Sequence, residues 1–138
     1  MSEPPSTRLH EQFWRFCAVG AAAFVVDAGI AQSLVSWAKW NPYVASGLSY
    51  LAAASVAWWL NRHFTFGASE APMHREWATY LIVNASGGVV NVVTRYALMG
   101  ALDTVRAWPW VGVAVGSVAG LIVNFAANKW YVFRRRAP

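Results

Sequence analysis

Four long apolar stretches occupy most of this chain of 138 residues and constrain its fold more than any other feature. They cover residues 13–37, 43–60, 77–102 and 108–127. A helix needs about 20 consecutive apolar residues to cross the hydrocarbon core of a bilayer, and each stretch is close to that length. The sequence therefore predicts an all-α membrane protein with four transmembrane helices.

The composition argues against a soluble globular domain. Only 12 % of the residues are charged and 57 % are hydrophobic, whereas soluble domains carry roughly 25 % charged residues. A small soluble domain buries only about two-thirds of its chain surface, so the excess apolar surface must face lipid. Tryptophan favours the membrane–water interface, and the tryptophans near the ends of the stretches are Trp14, Trp37, Trp40, Trp77, Trp108, Trp110 and Trp130.

The basic residues predict the orientation of the chain. Of the 11 Lys and Arg residues, the larger group on one side of the spans is Arg8, Arg15, Arg62, Arg75, Lys129, Arg134, Arg135 and Arg136. Only Lys39 and Arg106 flank the other side. Because cytoplasmic loops are enriched in Lys and Arg, both termini are predicted to be cytoplasmic. Residues 1–12 then form a cytoplasmic tail, residues 13–133 the transmembrane domain, and residues 134–138 a basic cytoplasmic C-terminus.

The sequence also suggests an internal repeat of two helices. A shift of 64 residues places span one on span three, and a shift of 67 places span two on span four. The matched positions include Phe16 with Tyr80, Asp27 with Asn91, Asn61 with Asn128, Arg62 with Lys129, and Phe66 with Phe133. Since each half has an even number of spans, the halves share one orientation and are related by an axis along the membrane normal.

Spans two and four carry ladders of small residues at every fourth position. The ladders are Ala45, Ser49, Ala53, Ala57 and Asn61 in span two, and Gly112, Gly116, Gly120, Asn124 and Asn128 in span four. Residues four apart share one helix face, and small residues let helices approach closely in lipid. The ladders predict the tightest helix packing, within one protomer or between protomers. The alternative is that Ala and Gly are simply frequent in membrane helices.

Polar residues inside a membrane span are energetically unfavourable in lipid, so their presence indicates a functional or structural role. Span one contains Asp27, and span three contains Asn84, Asn91 and Arg95. We expect Asp27 and Arg95 to face a common polar cavity, where Arg95 attracts a phosphate and Asp27 releases it. Two structural alternatives stay open: a permanent ion pair that fixes helix packing, and an Arg95 side chain that reaches the outer interface.

A polar and aromatic motif closes spans two and four. It reads Asn61-Arg62-His63-Phe64-Thr65-Phe66, and its second copy reads Asn128-Lys129-Trp130-Tyr131-Val132-Phe133. A basic residue there complements the helix C-terminus and can hold a lipid phosphate at headgroup depth; the alternative is a positive-inside anchor alone. The chain contains no phosphate-binding glycine loop, nucleophile elbow or metal-ligand array, so no enzyme activity, metal or cofactor is expected.

In these features the chain resembles the GtrA family of small membrane proteins, over about residues 13–134. The resemblance rests on Arg15-Phe16-x-x-Val19-Gly20, Asp27, Asn61-Arg62-x-x-Thr65-Phe66, the Asn-rich start of span three, Asn124-Phe125, and Asn128-Lys129-x-x-Val132-Phe133. It implies a flippase of the bacterial inner membrane, which moves a polyprenyl-phosphate-linked monosaccharide outward for cell-surface polysaccharide synthesis. Lys129 departs from the Arg of the first motif, which puts phosphate binding by the second half in doubt.

The predicted binding site combines the polar residues of the spans with both closing motifs. The predicted substrate-binding residues are Asp27, Asn61, Arg62, Asn84, Asn91, Arg95, Asn124, Asn128 and Lys129. The expected partners are a polyprenyl-phosphate-linked sugar, the lipid bilayer, a second copy of the chain in a homo-oligomer, and a membrane glycosyltransferase; nucleic acid is not expected. Two other functions stay open: a non-transporting partner that recruits a glycosyltransferase, and a small multidrug-type exporter that uses Asp27.

Overall fold

The structure is a computed structural model that describes residues 5–134, with side chains from Arg8 onward. This part of the chain is helical and contains no strand. The helices are α1 (Pro5–Ser36), α2 (Pro42–Leu60), α3 (Met73–Ala101), α4 (Asp103–Ala107) and α5 (Pro109–Ala127). Two π-helical turns continue α2 and α5, π1 (Asn61–Thr65) and π2 (Asn128–Val132).

Four helical segments are long and apolar enough to cross a membrane. They are Arg8–Ser36, Pro42–Thr65, Met73–Ala101 and Pro109–Val132. The predicted all-α membrane fold with four transmembrane helices is therefore confirmed. The orientation of these spans stays a prediction, as do the limits of the two cytoplasmic termini; Arg135 and Arg136 lie outside the described residues.

Helix α1 begins earlier than the apolar pattern indicates. Its helical backbone starts at Pro5 rather than near residue 13, because Pro is well suited to the first turn of a helix. Contacts between side chains four residues apart stabilise the polar turn that precedes the apolar part of α1. Glu11 forms an ion pair with Arg15, and Trp14 Nε1 donates to His10 Nε2 over 2.8 Å. Most of the expected cytoplasmic tail is therefore part of a helix.

The helix boundaries follow from local chemistry. Asn41 caps α2, since its side chain accepts a hydrogen bond from Tyr43 N over 2.9 Å, and Pro42 occupies the first turn. The preceding turn places Lys39 in the left-handed region, with φ of 57°. The segment between spans three and four, which lies outside the apolar stretches, forms the short helix α4, in which Val105 is buried.

The chain divides into two compact units, one ending at Ala68 and the other beginning at Ser69. We call them hairpin 1, which contains α1, α2 and π1, and hairpin 2, which contains α3, α4, α5 and π2. In hairpin 1, α2 packs along α1. In hairpin 2, α5 packs along α3.

The small-residue ladders form buried faces, as predicted. Every ladder position of hairpin 1 is buried, as are four of the five in hairpin 2, where Asn124 is half-buried. At Gly116 an added Cβ would lie 2.6 Å from the backbone oxygen of Asn91, and at Gly120 it would lie 2.7 Å from that of Gly87. Because Gly116 and Gly120 lack side chains, α5 can approach the α3 backbone closely.

Candidate functional site

The closing motif of hairpin 1 folds into π1. Phe66 N donates to Asn61 O over 2.9 Å, five residues earlier, and this wider turn ends the helix. Asn61 and Thr65 are buried, at 1 % and 6 % exposed, whereas Arg62 is half-buried with its guanidinium 5.9 Å from the centre of the Trp58 ring. Single π-helical turns are rare and occur frequently at functional sites.

Helix α1 holds π1 in place through two neighbouring residues. Arg15 Nη1 donates to Phe64 O over 3.0 Å, while its Nη2 binds Glu11. Phe16 is buried and its ring lies 5.9 Å from that of Phe66. The two motifs that carry the sequence resemblance in this half of the chain are thus in direct contact.

Hairpin 2 closes on π2 with the same backbone pattern. Phe133 N donates to Asn128 O over 2.9 Å. Asn128 is fully buried, Val132 is 5 % exposed, and Lys129 is half-buried. The ring of Phe133 lies 6.0 Å from that of Tyr80, a buried residue of α3. In both hairpins, therefore, a buried Asn opens the turn, a basic residue follows it, and an aromatic residue of the preceding span packs on the final Phe.

Two of the predicted binding residues bind each other. Asn84 Nδ2 donates to Asn128 Oδ1 over 3.4 Å, and Asn128 Nδ2 donates to Asn84 Oδ1 over 3.3 Å. The same amide nitrogens donate to backbone carbonyls one turn back, those of Tyr80 and Asn124. This exchange joins α3 to π2, which gives both residues a packing role in addition to any contact with substrate.

The other two asparagines of hairpin 2 lie along the close contact of α3 with α5. Asn91 Nδ2 donates to Ser117 Oγ over 3.3 Å. The Asn124 side chain lies over Gly87, where an added Cβ would overlap its amide. Asn124 Oδ1 is buried and accepts no hydrogen bond from any residue in the described part of the chain.

Arg95 places a cation on α3, half-buried, near Gly112 of α5. Its guanidinium carbon lies 6.0 Å from the centre of the Tyr96 ring, and its Nε is buried without a hydrogen bond among residues 5–134.

Asp27 is half-buried in α1. Within the described part of hairpin 1 this carboxyl group has no hydrogen-bond or ion-pair partner. Asp27 and Arg95 belong to different hairpins, and their interaction stays a prediction.

The sequence interpretation missed Glu76, a buried charged residue of α3. It is 1 % exposed and its Oε2 accepts hydrogen bonds from Ser69 N over 2.8 Å and Ser69 Oγ over 2.5 Å. A signal existed, because Glu76 precedes Tyr80 by four residues and so shares its helix face. Glu76 directly precedes the third apolar stretch, where a charged residue is ordinarily exposed, so hydropathy does not indicate its burial. Within the described residues, no group of three His, Cys, Asp or Glu side chains could hold a metal ion.

Comparison with known proteins identifies the family. A family model described as GtrA/DPMS, transmembrane domain, matches residues 15–133, a region that includes both π-helical turns and every predicted binding residue. No curated protein gives a significant match, and neither does any solved structure. The chain thus belongs to the GtrA/DPMS transmembrane-domain family, as its sequence motifs predict, and is a membrane protein of the kind linked to polyprenyl-phosphate sugar handling.

Proposed function

We propose that this protein is a flippase that moves a polyprenyl-phosphate-linked monosaccharide across the bacterial inner membrane for cell-surface polysaccharide synthesis. The observation that carries the proposal is the family motif at the end of each hairpin, where a π-helical turn presents Arg62 or Lys129 beside a buried asparagine. A cation at that depth suits a lipid phosphate. Membership of a family linked to polyprenyl-phosphate sugar handling supports such a sugar as the substrate class.

We further propose that the two hairpins are equivalent repeats with one orientation, with both termini in the cytoplasm. The support is that π1 and π2 have the same length and the same closing hydrogen bond, from Phe66 to Asn61 O and from Phe133 to Asn128 O. In this orientation both turns lie at the cytoplasmic surface. They are then placed where a newly made lipid-linked sugar first meets the protein.

In this mechanism the protein performs no covalent chemistry. The polyprenyl tail stays in the bilayer, so only the charged headgroup needs a polar path. In hairpin 1, Arg62 captures the phosphate and Asp27 replaces part of its hydration as it crosses. In hairpin 2, Lys129 has the first role, and Asn91, Arg95 and Asn124 have the second. The buried Arg95 Nε and Asn124 Oδ1, neither of which is hydrogen-bonded within the described chain, support this role, because buried polar atoms generally have partners. Asn61, Asn84 and Asn128 shape the entrance from their buried or half-buried positions.

We also propose that the transport path is formed by a homo-oligomer. Transport then follows the gradient that sugar attachment on one side and consumption on the other maintain. A separate membrane glycosyltransferase is the partner that consumes the sugar on the outer side.

Translocation in proteoliposomes tests this proposal. Purified protein is reconstituted with a polyprenyl-phosphate sugar, and a membrane-impermeant reagent reports when the headgroup reaches the outer leaflet. We expect Arg62→Ala and Arg95→Ala to slow translocation at least tenfold, since each removes a charge-assisted contact of about 1.5–3 kcal/mol. Lys39→Ala, at an exposed loop residue outside the site, is the matched control. Equally fast transport by all variants would show that Arg62 and Arg95 do not hold the phosphate. No transport by folded protein would instead favour the glycosyltransferase-recruiting function.

A further inference from the structure

The hydroxyl group of Thr65 is buried in π1 without a partner. The side chain is 6 % exposed, and Oγ1 forms no hydrogen bond with any residue of the described chain. Membrane helices often satisfy a Thr hydroxyl by hydrogen bonding to a backbone carbonyl one turn earlier, but Thr65 does not. Because an unpaired buried hydroxyl destabilises a protein, packing alone does not explain its presence.

Hairpin 2 indicates that this turn folds without the hydroxyl. Val132 is the last residue of π2, as Thr65 is of π1, and it is buried to a similar degree, at 5 % exposed. Each residue directly precedes the Phe whose N–H closes the turn. At this position the two turns thus differ by a hydroxyl in place of a methyl group, in side chains of the same branched shape.

Two arginines accompany Thr65, one of which, Arg15, is ion-paired with Glu11. Arg62 lies in the same turn, and Arg15 donates to the carbonyl of Phe64, the residue directly before Thr65. The carbonyls at the end of a helix carry partial negative charge, which disfavours an anion. Arg15 offsets that charge by covering one of these carbonyls. A hydroxyl donor in a turn that also carries an arginine suits the oxygens of a phosphate.

We propose that Thr65 is a binding residue whose hydroxyl donates a hydrogen bond to a phosphate oxygen at the end of hairpin 1, beside Arg62. This inference rests on the proposed function and deepens it. It assigns the tighter phosphate contact to the first hairpin, because π2 offers Val132 and Lys129 in place of Thr65 and Arg62. Arg15 acts as a positioning residue in this site through Phe64 O.

Binding to the full chain in detergent micelles tests the assignment, with farnesyl phosphate as the probe and farnesol as the probe that lacks phosphate. Thr65→Val converts the position to its hairpin 2 counterpart, Thr65→Ser keeps the hydroxyl, and Val132→Thr places a hydroxyl in the other turn. We expect Thr65→Val to weaken farnesyl phosphate binding about tenfold without affecting farnesol. Thr65→Ser should keep most of the affinity, and Val132→Thr should not change it.

Thermal unfolding of the same variants separates a binding role from a structural one. We expect the Tm of Thr65→Val to equal or exceed that of the wild type, because the substitution removes a buried hydroxyl that lacks a partner. A lower Tm with unchanged farnesyl phosphate affinity would overturn the inference, since the hydroxyl would then be used by the protein itself. Wild-type and Thr65→Val proteins that bind the probe equally would also overturn it while leaving the proposed function intact.

Competition experiments identify the source of the phosphate. One outcome is that inorganic phosphate or phosphatidylglycerol displaces farnesyl phosphate from the wild type but not from Thr65→Val. That result would support a phosphate site that serves free phosphate or bulk phospholipid. Competition by polyprenyl phosphates alone would support the site and assign it to the transported lipid. A wild-type protein that binds farnesyl phosphate no better than farnesol would overturn both this inference and the proposed capture of a phosphate.

Discussion

The amide of Asn124 lies directly over Gly87, so that α5 contacts the α3 backbone where a side chain would otherwise stand. The same two helices meet again where Gly116 and Gly120 face Asn91 and the Gly87 carbonyl. Polar side chains of one helix thus fill the spaces left by glycines of the other. In hairpin 2, therefore, the close packing of α3 and α5 depends on both the glycines and the asparagine side chains that lie against them.

Gly87→Ala should destabilise hairpin 2, because the added methyl group would overlap the Asn124 amide. Overpacking of this kind costs about 1–3 kcal/mol. The neighbouring Gly88→Ala is the matched control, since a Cβ there meets nothing within 4 Å. Thermal unfolding of both variants in one detergent measures the difference. Equal Tm values would contradict the close approach of α3 and α5.

The mutual amide pair of Asn84 and Asn128 should contribute a measurable coupling energy. Interhelical hydrogen bonds in membranes average about 0.6 kcal/mol, with a maximum near 1.7 kcal/mol. A double-mutant cycle with Asn84→Ala and Asn128→Ala, scored by the free energy of unfolding, should give a coupling in this range. Strictly additive effects of the two substitutions would show that the amides do not interact.

Arg15→Met should loosen π1, because it removes the donor to Phe64 O while keeping much of the apolar stem. Amide hydrogen exchange of the peptide that contains Asn61 and Phe66 should become faster, by about fivefold to tenfold for a hydrogen bond worth about 1–1.5 kcal/mol. Arg8→Met, at an exposed residue of the same helix, controls for the lost charge. The contact would be unimportant if both variants exchanged at the wild-type rate.

Glu76→Ala should destabilise the start of hairpin 2, since it removes the acceptor of both Ser69 donors. A buried donor left without an acceptor costs about 1–3 kcal/mol. Glu70→Ala provides the control, because Glu70 is an exposed acidic residue in the same loop. A Tm for Glu76→Ala as high as that for Glu70→Ala would show that the carboxylate does not anchor the loop.

The sequence was sufficient to predict the four spans, the buried ladders and the family. Hydropathy and length govern membrane insertion, and a four-residue spacing of small residues such as Ala45 and Ser49 defines one helix face wherever the helix packs. The early start of α1 was missed because polar residues such as Glu11 and Arg15 stabilise a helix through pairs four apart, which an apolar pattern does not reveal.

For the candidate site, the sequence predicts which polar residues take part but not the contacts between them. Asn61 and Asn128 each begin a π-helical turn. Such a turn is closed by a backbone hydrogen bond that spans one residue more than in an α-helix, and no residue type specifies this bond. The contacts of Arg15 with Phe64 and of Glu76 with Ser69 depend on how the chain folds back onto these helices, which hydropathy and residue spacing do not specify. The proposed partnership of Asp27 with Arg95 depends on how separate helices assemble, which spacing along one helix does not determine.

Leaflet translocation by the wild-type protein tests the central claim most directly. Sealed vesicles that hold a polyprenyl-phosphate sugar in both leaflets, with and without the protein, are treated with a membrane-impermeant reagent that modifies the sugar. We expect modification to stop at the outer-leaflet half in protein-free vesicles and to approach completion when the protein is present. Modification that stops at the same half in both preparations, from protein shown to be folded, would contradict the flippase function.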